Sequence, residues 1–377
     1  MIYLAVFPII YLCEIVGAFC REKYSNSKKA SYILTFFPFF IMFLLIALRG
    51  PETGPDSQSY LSIAEELGNL SFADLTNPSF NRIIREPGFE FITKALYVLT
   101  HSPQSLLIFM AAVTCLCYWI LINELSPDPY LSVLVFYCAS FFMFSLNIAR
   151  QVMSAALCGI FYLLLIRRKY VPALLISILG TLFHSSAPIG FILIFLVTLL
   201  PIRKFMAALF SAVAVLSVLF VRPIMELVFS VITKYQIYLN VDKHDSVGMV
   251  IILWGIELAI AMYLLYFAVD NHPEKSLNAT HTLNRMDRHI YCSILFTVMY
   301  VAITFCSSFV WLALRIGFYF EIGVLFLFSM FTERIREHQS RLIYLLTIVL
   351  INVLFTFWMS RSSADPLYTY HFFFEYG

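Results

Sequence analysis

Charge is scarce in this chain of 377 residues: Asp, Glu, Lys and Arg together make up 13%, against about 25% in soluble domains. With 61% hydrophobic residues and a mean hydropathy of +0.84, that shortage excludes a soluble globular protein. The formal net charge of +2 says nothing about nucleic acid, and the sequence has no basic patch of the kind that binds it. The apolar–polar alternation of a membrane β-barrel is missing. The opening "MIYLAVFPIIYLCEIVGAFC" lacks a positive n-region and a small-residue cleavage site, so it reads as a retained first span and not as a removed signal peptide. The eight cysteines (Cys13, Cys20, Cys115, Cys117, Cys138, Cys158, Cys292, Cys306) all fall in apolar segments, so no disulfide framework is expected. Cys115 and Cys117 have no His or Cys beside them, so no metal site is expected either. Internal repeats and low-complexity tracts are absent.

What the chain has in abundance is long apolar runs. They suggest spans at 2–20, 30–48, 104–123, 130–147, 151–166, 170–183, 187–200, 205–221, 248–269, 290–307, 315–331 and 342–359, about twelve bilayer-length helices. The expected fold is therefore an all-α polytopic membrane protein forming a single integral membrane domain over 1–377. Lys and Arg collect in one alternating set of short loops: 21–29, 167–169, 201–204, 270–289 and 332–341. The positive-inside rule makes these cytoplasmic. The other set is then exterior: 49–103, the 147–151 and 184–186 turns, 222–247, 308–314 and the 360–377 tail. The longest loop, 49–103, opens with "RGPETGPDSQSY" and continues into a short helix, "LSIAEELGNL". In "GFEFITKALYVL", Phe89, Ile92, Leu96 and Leu99 recur at helical spacing, as in an amphipathic helix lying at the membrane interface.

One run raises a question. Between Leu131 and Ile166 the only charged residue is Arg150, flanked by Asn147 and Gln151. The run is too long for one span and right for two. Folding it at Asn147–Gln151 moves the arginine from the bilayer centre, where it would cost about 2.5–3.5 kcal/mol, to a membrane face. If helix continued through this point, Asn147, Arg150 and Ser154 would share one side of it. The same exterior face collects Arg49, Glu52, Asp56 and Tyr60 after the second span, Arg85 and Glu86 before the interfacial helix, His184 with Ser185 and Ser186 between two short spans, and Arg315 with Tyr319 at the eleventh. Each has a purely structural reading. An arginine at a span end snorkels, Asp56 forms a turn, Glu86 caps a helix, His184 is satisfied at a helix end. Glu14 and Glu257 are acids inside spans, which neighbouring helices can satisfy. The coincidence favours function: three arginines from distant parts of the chain end at the face the positive-inside rule disfavours. A diphosphate is a natural partner for guanidinium groups, and acidic and imidazole groups at the same level suit acid–base chemistry.

"LRGPETGPDSQSY", "EPGFEF", "NIARQ", "FHSSA" and "LRIGFYFEI", in this order over roughly residues 2–330, resemble the EpsG-type branch of bacterial polysaccharide polymerases, which includes O-antigen polymerases of the Wzy type. The tail "DPLYTY" is similar to the family's exterior end. The family pattern R-x-x-x-G-x-D-x-x-x-Y is met by Arg49, Gly54, Asp56 and Tyr60 with an extra residue after Arg49, so it does not carry over to Arg49 position by position. The resemblance implies a GT-C-like glycosyltransferase in the bacterial inner membrane, with 49–103 and 222–247 as periplasmic loops. Its substrates would be oligosaccharide repeat units on undecaprenyl diphosphate. The growing glycan would pass from its lipid diphosphate onto the sugar of an incoming lipid-linked unit at the periplasmic face, with no cofactor and no metal. Membrane lipid and a chain-length regulator protein are the further partners it implies. Arg150 and Arg315, then Arg49, are the candidates for holding the diphosphate. Asp56, Glu86 and His184 are the candidates for proton transfer, and Tyr60, Asn147, Gln151 and Tyr319 are candidate substrate contacts. Exterior aromatics such as Tyr60, Tyr235 and Tyr238 could stack on sugars, although interfacial belts also explain tyrosines.

Three other readings compete. A lipid-linked saccharide flippase would show internal repeats and polar groups at the bilayer midplane. A membrane O-acyltransferase would need its histidine within reach of a cytoplasmic donor. An O-antigen ligase uses the same donor and differs only in its acceptor.

Overall fold

A bilayer offers no water to backbone polar groups, so a chain this apolar can cross it only as helices or a closed barrel. In the computed structural model every regular element among the described residues is an α- or 3-10 helix. The described residues are 28–76, 86–138, 141–200, 247–270, 285–306, 312–359 and 370–375, with scattered helical positions between 6 and 17 and between 209 and 227. The expected spans 2–20 and 205–221, the loop 222–247 with Tyr235 and Tyr238, Glu14 and Arg85 lie largely or wholly outside them.

In chain order the helices are α1 (Lys28–Ala47), α2 (Ser57–Asn69), α3 (Pro87–Thr100), α4 (Gln104–Leu125), α5 (Pro129–Cys138), α6 (Phe141–Asn147), α7 (Ala149–Ile166), α8 (Tyr170–Phe183), α9 (Ala187–Leu199), α10 (Val247–Asp270), α11 (Arg285–Cys306), α12 (Leu312–Gly317), α13 (Ile322–Thr332) and α14 (His338–Met359). Four stretches among the described residues are long and apolar enough to cross a membrane: Lys28–Ala47, Gln104–Leu125, Ala149–Ile166 and Arg288–Cys306. Shorter apolar helices fill the positions of several other expected spans. The protein is an all-α polytopic membrane protein.

The chain divides into two compact units, the first made of Met1–Ile160, Leu174–Pro188 and Ile335–Gly377, the second of Phe161–Ala173 and Ile189–Arg334. In the first unit α1 packs along α4, and α2 and α3 pack on each other and on α4. Polar glue holds α1 to α4: Ser31 donates to Asn123 Oδ1 at 2.5 Å, Tyr32 to Glu124 Oε1 at 2.6 Å, and Asn123 Nδ2 and Trp119 Nε1 donate to Thr35 Oγ1 at 2.9 and 3.1 Å. Such bonds stabilise helix pairs in lipid, where apolar burial does not discriminate between helix and solvent.

In the second unit α11 packs against α10, α12 and α13. Gly323 permits the closest crossing, since a Cβ there would stand 2.5 Å from the Thr297 backbone nitrogen. Here the structure departs from the expected single span 315–331. The helix stops at Gly317, turns through residues 318–321 and resumes at Ile322. Turn hydrogen bonds close the break, with the N–H of Tyr319 donating to Ile316 O and that of Phe320 to Gly317 O at 3.3 and 2.9 Å.

Candidate active site

The apolar run around Arg150 does break where length demands: α6 ends at Asn147 and α7 begins at Ala149. The N–H groups of Gln151 and Val152 both donate to Ile148 O, at 2.9 and 3.1 Å, so Arg150 lies in the first turn of a new helix. Because helix does not continue through Ile148, Asn147 does not share a helical stripe with Arg150 and Ser154. Asn147 is half-buried at the end of α6. Ser154 is buried and its Oγ donates to Gly180 O at 3.5 Å.

Glu86 arrives from the long loop. It precedes Pro87, which bars it from helical backbone, and its φ of −123° and ψ of 92° are extended. Pro87 then opens α3, the position where a missing N–H costs nothing. Gly88 lets this helix start press onto the end of α8, since a Cβ at 88 would meet Leu182 Cβ at 2.7 Å and its carbonyl oxygen at 3.0 Å. His184 and Ser185 follow α8 directly. The result is a junction on one carboxylate. Arg150 Nη1 donates to Glu86 Oε2 at 2.7 Å, while His184 Nδ1 and the Ser185 N–H donate to Glu86 Oε1 at 3.1 and 2.8 Å. The side chains are 16%, 6% and 12% exposed for Arg150, Glu86 and His184.

Aromatic rings flank the guanidinium, with Phe89 at 4.7 Å and Tyr60 at 5.7 Å from ring centroid to Cζ, within cation–π range. Tyr60 reaches this point because of Gly54. That residue has φ +81°, and a Cβ on it would stand 2.2 Å from Leu146 O, so the loop lies flush on the end of α6 before α2 begins. Asp56 caps α2, half-buried, and its carbonyl accepts the Tyr60 N–H at 3.0 Å.

Electrostatics divides the roles. Burial raises the Glu86 carboxyl, but the His184 hydrogen bond, the charge of Arg150 and the Ser185 N–H oppose it, and the group is held below its ordinary value. Glu86 is therefore an ionised clamp with its oxygens occupied. An ionised carboxylate only accepts, so the proton of His184 sits on Nδ1. Its Nε2 makes no hydrogen bond among the described residues. Burial raises the Tyr60 phenol, the Asp56 charge adds to this and Arg150 opposes it, so Tyr60 remains neutral, and its hydroxyl oxygen accepts the Arg150 backbone N–H at 3.5 Å. The Nε–H of Arg150 is buried and has no hydrogen-bond partner among the described residues. A buried guanidinium N–H without an acceptor is rare in a finished structure and suits a site built for an anionic ligand.

The remaining candidates have surroundings of their own. Arg49 is fully buried, with Nε donating to Ser57 Oγ at 2.8 Å and Nη1 to Ile46 O at 2.5 Å. Its backbone forms an isolated antiparallel bridge with Phe372. Flanking bonds run from Gly50 N–H to His371 O at 2.7 Å and from Phe373 N–H to Leu48 O at 3.0 Å. Thr53 exchanges two hydrogen bonds with His371, at 3.1 and 2.9 Å. Arg49 thus stands where the loop meets the tail. Gln151 is buried in the first turn of α7. Arg315 is half-buried in the last turn of α12, in the second unit. Tyr319 is buried in the same unit and packs on Gly190. It lies in the helix break and not one helical turn beyond Arg315. In the sequence Phe89 reads only as part of the apolar face of the interfacial helix and Ser185 only as a polar turn residue, and neither is a site candidate there. The "EPGFEF" stretch, which sets an aromatic three residues after Glu86 at a helix start, is the signal that could have found Phe89.

No curated protein and no solved structure matches the chain. The EpsG family model matches residues 32–376, which takes in most of α1, both loop helices, the α6–α7 break, the α8–α9 turn and the tail that pairs with Arg49. The chain belongs to the EpsG family.

Proposed function

We propose that the protein is a polysaccharide polymerase of the inner membrane that uses undecaprenyl-diphosphate-linked repeat units at the periplasmic face. Family membership supports the general activity, a glycosyltransferase-like polymerase. The observation that carries the finer reading is Arg150: a cation oriented by Glu86, stacked on Phe89, with a buried N–H lacking an acceptor.

In this reading the bond between the anomeric carbon of the growing glycan and its diphosphate oxygen breaks, and the diphosphate leaves with the bonding electrons. Arg150 stabilises the charge that grows on it. A fixed cation does this without reorganisation at the moment of reaction. A hydroxyl of the incoming unit attacks the anomeric carbon and gives its proton to His184 Nε2. Glu86 is a positioning residue. It holds His184 in the tautomer that leaves Nε2 basic, and it holds Arg150 in place. Of the three candidate bases, His184 is thus preferred to Glu86, whose lone pairs face its own donors, and to Asp56, whose charge acts on Tyr60. The family reading calls for no cofactor.

The test in cells is the glycan profile. Arg150→Ala is expected to abolish long-chain polymer, a loss of about 100-fold or more by analogy with removal of one transition-state donor, while the protein still accumulates in the membrane. A wild-type chain-length distribution would remove Arg150 from the site. A deletion strain should still deliver single repeat units to the lipid A core. Complete loss of capped core would favour a ligase or a flippase instead.

A further inference from the structure

The second unit holds two acids that the reaction above does not use. Glu257 lies within α10 and Glu321 caps α13 at the helix break, and they are 5% and 3% exposed. α10 and α13 pack on each other and both pack on α11. The two carboxyls are close enough for the charge of Glu257 to act on Glu321, and both act on Tyr300 of α11, which bonds Trp254. Glu257 Oε2 and Glu321 Oε1 are each buried without a hydrogen-bond partner among the described residues. Unpaired acids inside a membrane segment are costly and are functional candidates by default, and two like charges this close cannot both stay ionised out of water.

Two ligands could resolve that conflict, a metal cation or protons. A cation would need more oxygens than two carboxyls, and unwound carbonyls at a broken helix are the usual further source. Here four of those carbonyls, of Leu314, Ile316, Gly317 and Phe320, already accept a turn hydrogen bond. Among the described residues no third His, Cys, Asp or Glu joins the pair to make a metal-binding group. Among the described side chains of the surrounding elements, the other charged or imidazole groups are Arg315 on α12 and, at the far end of α11, Arg288 and His289, which bond Thr198 and Tyr162; the remaining titratable ones are Tyr263 and Tyr266 on α10 and Tyr291, Cys292, Tyr300 and Cys306 on α11. We infer that Glu257 and Glu321 form a membrane-embedded proton-binding site at the α12–α13 break, whose ligand is a proton and not a metal ion.

Infrared spectroscopy of the purified full-length protein in lipid nanodiscs reads this directly. At neutral pH the wild type should show a protonated-carboxyl C=O band that the Glu257→Gln/Glu321→Gln double variant lacks. Each single variant should shift the frequency of the remaining band, because each removes the other's neighbour. That shift keeps the test decisive if the double variant fails to fold. Sodium, potassium or magnesium chloride at constant pH should leave the wild-type band unchanged. No difference between wild type and double variant, no shift in the single variants, or loss of the band on adding any of these salts would each overturn the inference.

Discussion

A guanidinium in so apolar a chain needs either headgroups or a carboxylate, and Arg150 has a carboxylate at 2.7 Å. The pair is shielded from water, so breaking it by removing one partner leaves a charge poorly solvated. Glu86 is held below its ordinary value of 4.5. A depressed folded-state value means the carboxylate stabilises the protein fully above that ordinary range. The contribution is lost as pH falls through the lower folded value. Glu86→Gln should therefore melt below wild type at neutral pH, and the gap should close on acidification. Thermal midpoints of both proteins from pH 7 downward check this, and a gap that stays constant would show that Glu86 does not titrate as an ion-paired carboxylate. At this scale the sequence was partly legible. Arg150, Glu86 and His184 stood out as charged or imidazole groups at the ends of apolar runs. Phe89 is one of 38 phenylalanines, and Ser185 acts through its backbone N–H, so composition could mark neither. Arg49 stood out equally, and that its Nε and Nη1 donate to Ser57 and Ile46 was not legible, because polarity in a sequence does not reveal which way a side chain turns.

Between residue and molecule, the site depends on how closely helix ends approach. Gly88 carries no chemistry, but its missing side chain lets α3 meet α8 and so delivers Glu86 to His184. Gly88→Ala should cut polymer yield as deeply as Glu86→Gln, by about 10-fold or more if a misplacement near 1 Å is as costly as in other active sites. Gly255→Ala is the control: its Cβ meets nothing within 4 Å, and in a helix interior it should be neutral or stabilise by about 0.5–1 kcal/mol. Equal activity of both variants, measured as polymer per unit of membrane-inserted protein, would separate the α3–α8 contact from function. Helix positions were largely legible because hydropathy reports apolar length. The two loop helices showed in their periodicity, and the break at Asn147–Gln151 followed from length. The break at 318–321 was not legible, since "GFYFEIG" is apolar throughout except for a buried Glu321 and hydropathy cannot distinguish a turn from a helix of the same composition.

For the whole molecule, family membership over residues 32–376 ties the loop, the paired helices and the tail into one inherited arrangement. The tail is the part the sequence placed by topology alone. Its pairing with residues 45–53 rests on backbone groups and on Thr53 and Tyr370, whose hydroxyl donates to Leu45 O at 2.8 Å. Each such bond contributes about 1 kcal/mol net. Deleting residues 370–377 should therefore lower the thermal midpoint by several degrees and loosen the segment that carries Arg49. Melting identical to wild type would mean that the tail is not held there.

Elongation in vitro tests the central assignment most directly. Purified protein in nanodiscs, given a defined undecaprenyl-diphosphate-linked repeat unit as the only sugar source, should build a ladder of longer lipid-linked glycans and release undecaprenyl diphosphate. The Arg150→Ala protein, folded and inserted, should leave the substrate unextended. A ladder of wild-type length and rate from that variant, or no elongation by the wild type from this donor, would contradict the account.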